Sequence, residues 1–186
     1  MAINYNLKKY IGDGIFIETG TGRAGNGITA AIEAGFTKII SIEITPEFHE
    51  RAKVKFSDYI ESGKVILLLG DSSKMLPKVL EEFKNERFTF WLDAHIDGPY
   101  LPEYKGQKCP LYDELNIIKN LDRNDHIIMI DDRRIFHDNE KRKGVNGWGN
   151  EVTETEIRMR LTDINPNYKI VYENGYIDDD VIIAIK

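Results

Sequence analysis

A single cysteine, Cys109, stands in 186 residues. It has no partner for an intramolecular disulfide, which excludes a disulfide-stapled scaffold and makes a reducing, cytoplasmic setting the expectation. Long apolar runs are also missing. No stretch approaches the roughly 20 residues that span a bilayer, so no membrane partner is expected. Met1 to Lys9 carries neither the apolar core nor the cleavage site of a secretory signal. Positive charge is in short supply. Against 31 Asp and Glu there are 25 Lys and Arg, a net charge of −6, which speaks against a dedicated nucleic-acid binder. The short basic run Lys141 to Lys143 reads as a solvated loop face. Repeats, low-complexity tracts and linkers are absent, and residues 1–186 are expected to form one domain.

What is present alternates. Short apolar runs are followed by longer amphipathic stretches, the pattern of a parallel sheet covered by helices. Strands are predicted at Ile15–Glu18, Lys38–Glu43, Val65–Leu69, Phe88–Leu92 and His126–Ile130, with a final pair at Tyr168–Tyr172 and Val181–Ile185. Helices are predicted at Asn26–Ala34, closed by Gly35, and behind Thr45-Pro46, where threonine fits an N-cap and proline the first helical position. In the second of these, Phe48, Ala52, Phe56, Tyr59 and Ile60 share one apolar face. Others are expected over Ser73–Phe83, irregular at its start because of Pro77, and from Pro110 onward. A last one begins at Thr153, whose spacing to Glu156 is that of a capping box.

This order predicts an α/β, Rossmann-like three-layer sandwich around a mostly parallel sheet. Ligands of such sheets sit at the carboxyl ends of the strands. There the sequence places Glu18, Glu43, Asp71, Asp93, Asp131 and Asp132, an acid after each of the first five strands. One such acid is a routine turn or cap residue. The whole series points to a site.

Between the first strand and the first helix runs Gly20-Thr21-Gly22-Arg23-Ala24-Gly25, a G-x-G-x-x-G turn that allows close approach of a ligand to the backbone. Glu43, at the end of the second strand, is placed to accept hydrogen bonds from two ribose hydroxyls. An adenosine-bearing ligand follows, either a dinucleotide or S-adenosylmethionine. Glu18 separates them: a carboxylate beside the turn suits an ammonium group and sits awkwardly near a diphosphate.

On these residues the chain resembles the class I S-adenosylmethionine-dependent methyltransferases. Phe16-Ile17-Glu18-Thr19-Gly20-Thr21-Gly22 is similar to their first motif, Ser41-Ile42-Glu43 to their ribose-binding acid, and Gly70-Asp71-Ser72 to the segment that meets adenine. Phe90-Trp91-Leu92-Asp93 is similar to their fourth strand and its acid. The resemblance implies a seven-stranded sheet with an antiparallel last strand. It assigns the cofactor to Glu18, Gly20, Thr21, Gly22, Gly25, Asn26, Glu43, Ile44, Asp71, Ser72 and Asp93.

Asp93 and the pair Asp131-Asp132 follow neighbouring strands of that fold, and three converging carboxylates need a cation or a proton between them. Oxygen ligands favour a hard ion such as Mg²⁺, which would lower the pKa of an acceptor hydroxyl. The arrangement resembles the metal-dependent O-methyltransferases of the catechol and macrolide-sugar kinds. The chain departs from them in having little helical sequence before the first strand, and Ile96 where the catechol enzymes keep a lysine base. His95, two residues beyond Asp93, is the expected general base, since histidine titrates near neutrality. A small-molecule or glycan hydroxyl is the expected acceptor, with Tyr100, Tyr104 and Trp148 as an aromatic wall and Arg133, Arg134 or His137 nearby. His49 and His126 read as structural.

Overall fold

The computed structural model describes residues 6–96, 108–138 and 151–186. Strands β1 (Ile15–Thr19), β2 (Lys38–Glu43), β3 (Val65–Leu69), β4 (Phe88–Leu92), β5 (Ile127–Ile130), β6 (Lys169–Glu173) and β7 (Val181–Ile185) form one sheet in the order β3-β2-β1-β4-β5-β7-β6. The first five pair in parallel, and β7 lies antiparallel between β5 and β6. This is the expected Rossmann-like architecture, antiparallel last strand included.

The helices are α1 (Asn26–Ala34), α2 (Pro46–Lys55), α3 (Ser57–Glu61), α4 (Ser72–Glu82), α5 (Leu111–Lys119) and α6 (Glu154–Ile164). They cover both sheet faces, which is why the strands read as continuous apolar runs. Alternate strand residues feed two cores. Ile15 and Ile17 meet the apolar sides of α4, α5 and α6, while Phe16 meets Ile28 and Ala31 of α1 on the other face.

Local chemistry accounts for most boundaries. Gly35 closes α1 in the left-handed conformation, its N–H bonded to Ala31 and Ile32 carbonyls. The Thr153 hydroxyl accepts from the Glu156 N–H at 3.2 Å, half of the expected capping box; the other half is not made, since the Thr153 N–H donates to the Tyr112 hydroxyl at 2.9 Å. Thr45 holds the expected N-cap position of α2 with Pro46 behind it, its side chain making no cap bond and its N–H donating to Glu43 Oε1 at 2.8 Å. Two expectations are corrected. The helix behind Thr45 breaks at Phe56, whose φ of −111° and ψ of 21° leave the helical region, into α2 and α3, and the buried Phe56 ring packs against Gly25. Pro77 lies inside α4, which is helical from Ser72 onward.

His126, just before β5, is structural. It is buried between Phe88 and Phe90, with ring centroids 5.2 and 5.5 Å away, and its Nδ1 accepts from the Phe88 N–H at 3.2 Å. Burial lowers its pKa to about 4, against the opposing pull of Asp125. The unfolded chain protonates this histidine near 6.5. The unfolded state thus takes up a proton first as pH falls, so stability present above pH 6.5 declines through that value and levels off below about 4. The effect is roughly 3 kcal/mol. Urea denaturation should show wild type losing that much more stability than His126→Asn between pH 7 and 4; parallel profiles would refute the assignment.

Candidate functional site

β1 ends at Thr19, and the chain turns sharply through Gly20 at a φ of 85°. A Cβ at Gly20 would lie 2.5 Å from the Asp93 carbonyl oxygen, so only glycine lets the turn pass beside the end of β4. The Gly20 N–H bonds the Ile42 carbonyl at 2.9 Å. Glu43 then ties the turn to β2, its Oε2 accepting from the Gly22 N–H at 2.8 Å while Oε1 takes that of Thr45. Lone pairs remain on both oxygens for a ligand.

Glu18 is 1% exposed. Ser41 Oγ donates to its Oε2 at 2.5 Å, and the Thr21 hydroxyl, 2.6 Å from Ser41, must therefore donate to Ser41. A Cβ at Gly27, in the first turn of α1, would stand 1.8 Å from Glu18 Oε1. The carboxyl thus occupies the N-terminus of α1, where the helix dipole favours negative charge. Burial still raises its pKa to about 7, opposed by the Ser41 bond and assisted by Glu43.

These groups line a cavity of about 450 Å³, within the range for small-molecule sites. Its wall carries Asp71, Glu43, Glu18 and Asp93, which follow β3, end β2, lie in β1 and follow β4. That is their order across the sheet. All eleven positions assigned to the cofactor line this one cavity, including Thr21, Gly22, Gly25, Asn26, Ile44 and Ser72, and so does His95. Arg23, Phe48, Trp91 and Lys108 complete part of the lining.

At the β4–β5 end the acids crowd. Burial raises the Asp93 pKa well above the usual carboxylate range, and the charges of Asp131 and Asp132 add to the rise. Burial and Asp132 likewise raise Asp131 to about 7. His95 lies between two of them, its Nδ1 3.5 Å from Asp93 Oδ1 and its Nε2 3.5 Å from Asp132 Oδ2. Asp132 itself has a φ of 65°, a strained value for a residue with a side chain. Its Oδ1 lies 2.5 Å from Arg134 Nη1, which also pairs with the buried Asp180.

Among the described residues, the groups able to hold a cation are therefore Asp93–His95–Asp132 and Asp131–Asp132–Asp180. The expected trio of Asp93, Asp131 and Asp132 is split between them. Asp131 turns Oδ1 to the Asp132 N–H, and its Oδ2 is buried without a hydrogen-bond partner. Both arginines serve the acids: Arg133 pairs with Glu154 at 2.6 Å, Arg134 with Asp132 and Asp180. His137 is exposed, its N–H bonded to the Val152 carbonyl. Tyr100, Tyr104, Trp148 and Lys141 to Lys143 lie outside the described residues.

Several participants were not foreseen. Phe48 looked like core and instead borders the cavity. Asp180 looked like part of a connection between strands. Gly27 carried a signal, since a further glycine just after the turn marks a close approach to the helix start.

The fold and this glycine-and-acid rim define the chain as an α/β protein with the fold of the class I S-adenosylmethionine-dependent methyltransferases. No family profile matches the sequence, and no curated protein is similar to it. Solved structures are. A methyltransferase from Geobacter sulfurreducens superposes with a TM-score of 0.57 at 11% identity, over 96% of this chain and 72% of that one. An S-adenosylhomocysteine-bound methyltransferase from Podospora anserina gives 0.57 at 14%, over 92% and 71%. A candidate caffeoyl-CoA O-methyltransferase from Staphylococcus aureus gives 0.55 at 17%, over 92% and 75%. At such identities the likeness is one of fold.

The contact between Gly27 and Glu18 is directly testable. Gly27→Ala should lower the melting temperature by several degrees, as expected for a loss of about 1–3 kcal/mol from overpacking. Adding Glu18→Ala should restore most of that loss. Additive destabilisation in the double variant would show that the two residues do not meet.

Proposed function

We propose that the protein is an S-adenosylmethionine-dependent methyltransferase that methylates a hydroxyl group of a small or carbohydrate-like acceptor, assisted by a divalent cation, in the cytoplasm. The observation that carries this reading is the row of Asp71, Glu43, Glu18 and Asp93, in sheet order, along one cavity. The row matches the cofactor piece by piece. Asp71 and Ser72 stand at the base end, Glu43 offers two oxygens to the ribose, and Glu18 meets the ammonium of the methionine tail. Asp93 stands where the sulfonium and its methyl group would lie.

The same geometry speaks against a nicotinamide dinucleotide. A diphosphate would need the N-terminus of α1, which the Glu18 carboxyl occupies. Methyl transfer is an in-line displacement: the acceptor oxygen forms a bond to the methyl carbon, the sulfur keeps the electron pair of the broken bond, and the acceptor proton must leave. His95 takes that proton, standing between Asp93 and Asp132, whose carboxyl oxygens lie 3.5 Å from its two ring nitrogens. The residues present fit a cation, because Asp93 is crowded by neighbouring charge and offers a ligand atom within 4.8 Å of one on Asp132. Asp93 and Asp132 would hold a hard ion such as Mg²⁺, Asp131 belonging to the separate group with Asp180, and the ion would supply charge stabilisation to a deprotonating hydroxyl.

One observation favours a second reading, in which no metal is used. Asp132 already has a cation of its own in Arg134. The His95–carboxylate arrangement is complete without another.

Calorimetric titration with S-adenosylhomocysteine tests the cofactor class. Micromolar binding is expected, weakened about 10- to 100-fold by Glu43→Ala, the usual cost of a lost charged hydrogen bond. Binding of NAD(H) in its place would overturn the reading. For the metal, Mn²⁺ titration followed by electron paramagnetic resonance should show one bound ion, lost in Asp93→Asn. Absence of binding, with methylation insensitive to chelator, would select the metal-free version.

A further inference from the structure

Where the end of β1, the start of α4 and α5 meet lies a second polar cluster that the proposed chemistry does not use. Glu114, in the first turns of α5, is 0% exposed. Thr19, the last residue of β1, and Ser72, the first of α4, bring their hydroxyls against it and favour its charged form. Burial outweighs them and pushes its pKa up to about 7, with Asp71 and Asp113 adding to the rise. None of the four oxygens, two on Glu114 and one on each hydroxyl, completes a well-formed hydrogen bond, and all four are sealed from solvent.

Four unsatisfied buried oxygens are expensive, at about 1–3 kcal/mol each. Such groups are retained where something depends on their positions. What depends here is the start of α4. Asp71 satisfies the first turn, its side chain taking the Ser73 N–H at 3.0 Å and its carbonyl those of Lys74 and Met75. The first N–H of the helix, that of Ser72, is left over, and Ser72 lines the cavity. Its hydroxyl is buried beside Glu114.

We propose that Glu114 is a positioning residue: by holding the Ser72 and Thr19 hydroxyls, it fixes the Ser72 main-chain N–H as a hydrogen-bond donor to the purine ring of the cofactor. The inference rests on the methyltransferase reading for the identity of that ligand. The carboxyl group sets two oxygens against two hydroxyls, each of which is able to give or receive. The clamp thereby joins the strand that leads into the glycine turn to the helix that borders the base. Ligand binding draws the three groups together, in the way that site hydrogen bonds left loose in a free enzyme tighten in the complex.

The test compares Glu114→Gln, Glu114→Leu, Ser72→Ala and the double variant Glu114→Leu/Ser72→Ala. Binding of S-adenosylhomocysteine and of adenosine, which lacks the methionine tail, is measured by calorimetry, with thermal melting recorded alongside. Glutamine offers one donor and one acceptor, so Glu114→Gln should bind adenosine within about threefold of wild type. Glu114→Leu should weaken both ligands by about tenfold, equally, and Ser72→Ala should do the same although its N–H remains. In the Ser72→Ala background the leucine substitution should add less than about twofold, because both changes break one connection. Additive losses, failure of glutamine to rescue, or a loss confined to S-adenosylhomocysteine would overturn the proposal. Should Glu114→Leu not fold, the glutamine and Ser72→Ala variants decide alone: equal weakening of adenosine by both would refute it. Wild type that binds neither ligand would overturn the methyltransferase reading itself, an outcome distinct from all of these.

Discussion

Negative charge packed at one rim of a parallel sheet is the constraint from which the rest of this structure follows. Glu18, Glu43, Asp93, Asp131, Asp132 and Asp180 gather at or near the carboxyl ends of the strands, and all but Asp93 are at least nine-tenths buried. Each would repel its neighbours in a medium that screens poorly. The chain answers differently at each position. Glu43 is held by two backbone N–H groups. Glu18 has a helix N-terminus and a serine. Asp132 and Asp180 share the guanidinium of Arg134. Asp93 and Asp131 have the least compensation, and burial with mutual repulsion raises both pKa values.

The compensation is uneven. Glu43 and Glu18 keep hydrogen bonds from fixed donors, although burial still raises the Glu18 pKa to about 7. At β4 and β5 Asp93 and Asp131 are crowded by each other and by Asp132, beside His95. Gly20 admits the Asp93 backbone and Gly27 admits the Glu18 carboxyl, so both groups meet at one turn.

Much of the fold was legible in the sequence, because burial on both faces of a parallel sheet leaves apolar runs too plain to miss. The strand at Val181–Ile185 and the helix at Asn26–Ala34 fall where their composition puts them. The break at Phe56 was not legible, since the periodicity of Phe48, Ala52, Phe56 and Tyr59 continues across it. At the break the Phe56 ring packs against Gly25, a residue 31 positions away, and such a contact has no mark in the local periodicity. Phe48 was misread for the same reason: an apolar residue on a helix face looks alike whether it meets a core or a cavity.

The sequence by itself determined the order of strands and helices, the glycine turn and the acid after each of the first five strands, because these depend on local periodicity and backbone freedom. Only the tertiary structure decided how the acids pair: that His95 stands between Asp93 and Asp132, that Arg134 and Asp180 join them, and that Asp131 turns the other way. Asp132 and Asp180 are 48 residues apart in the chain, yet share one guanidinium. Electrostatic partnership falls with distance through space and with burial, and neither quantity is written in the spacing of residues along the chain.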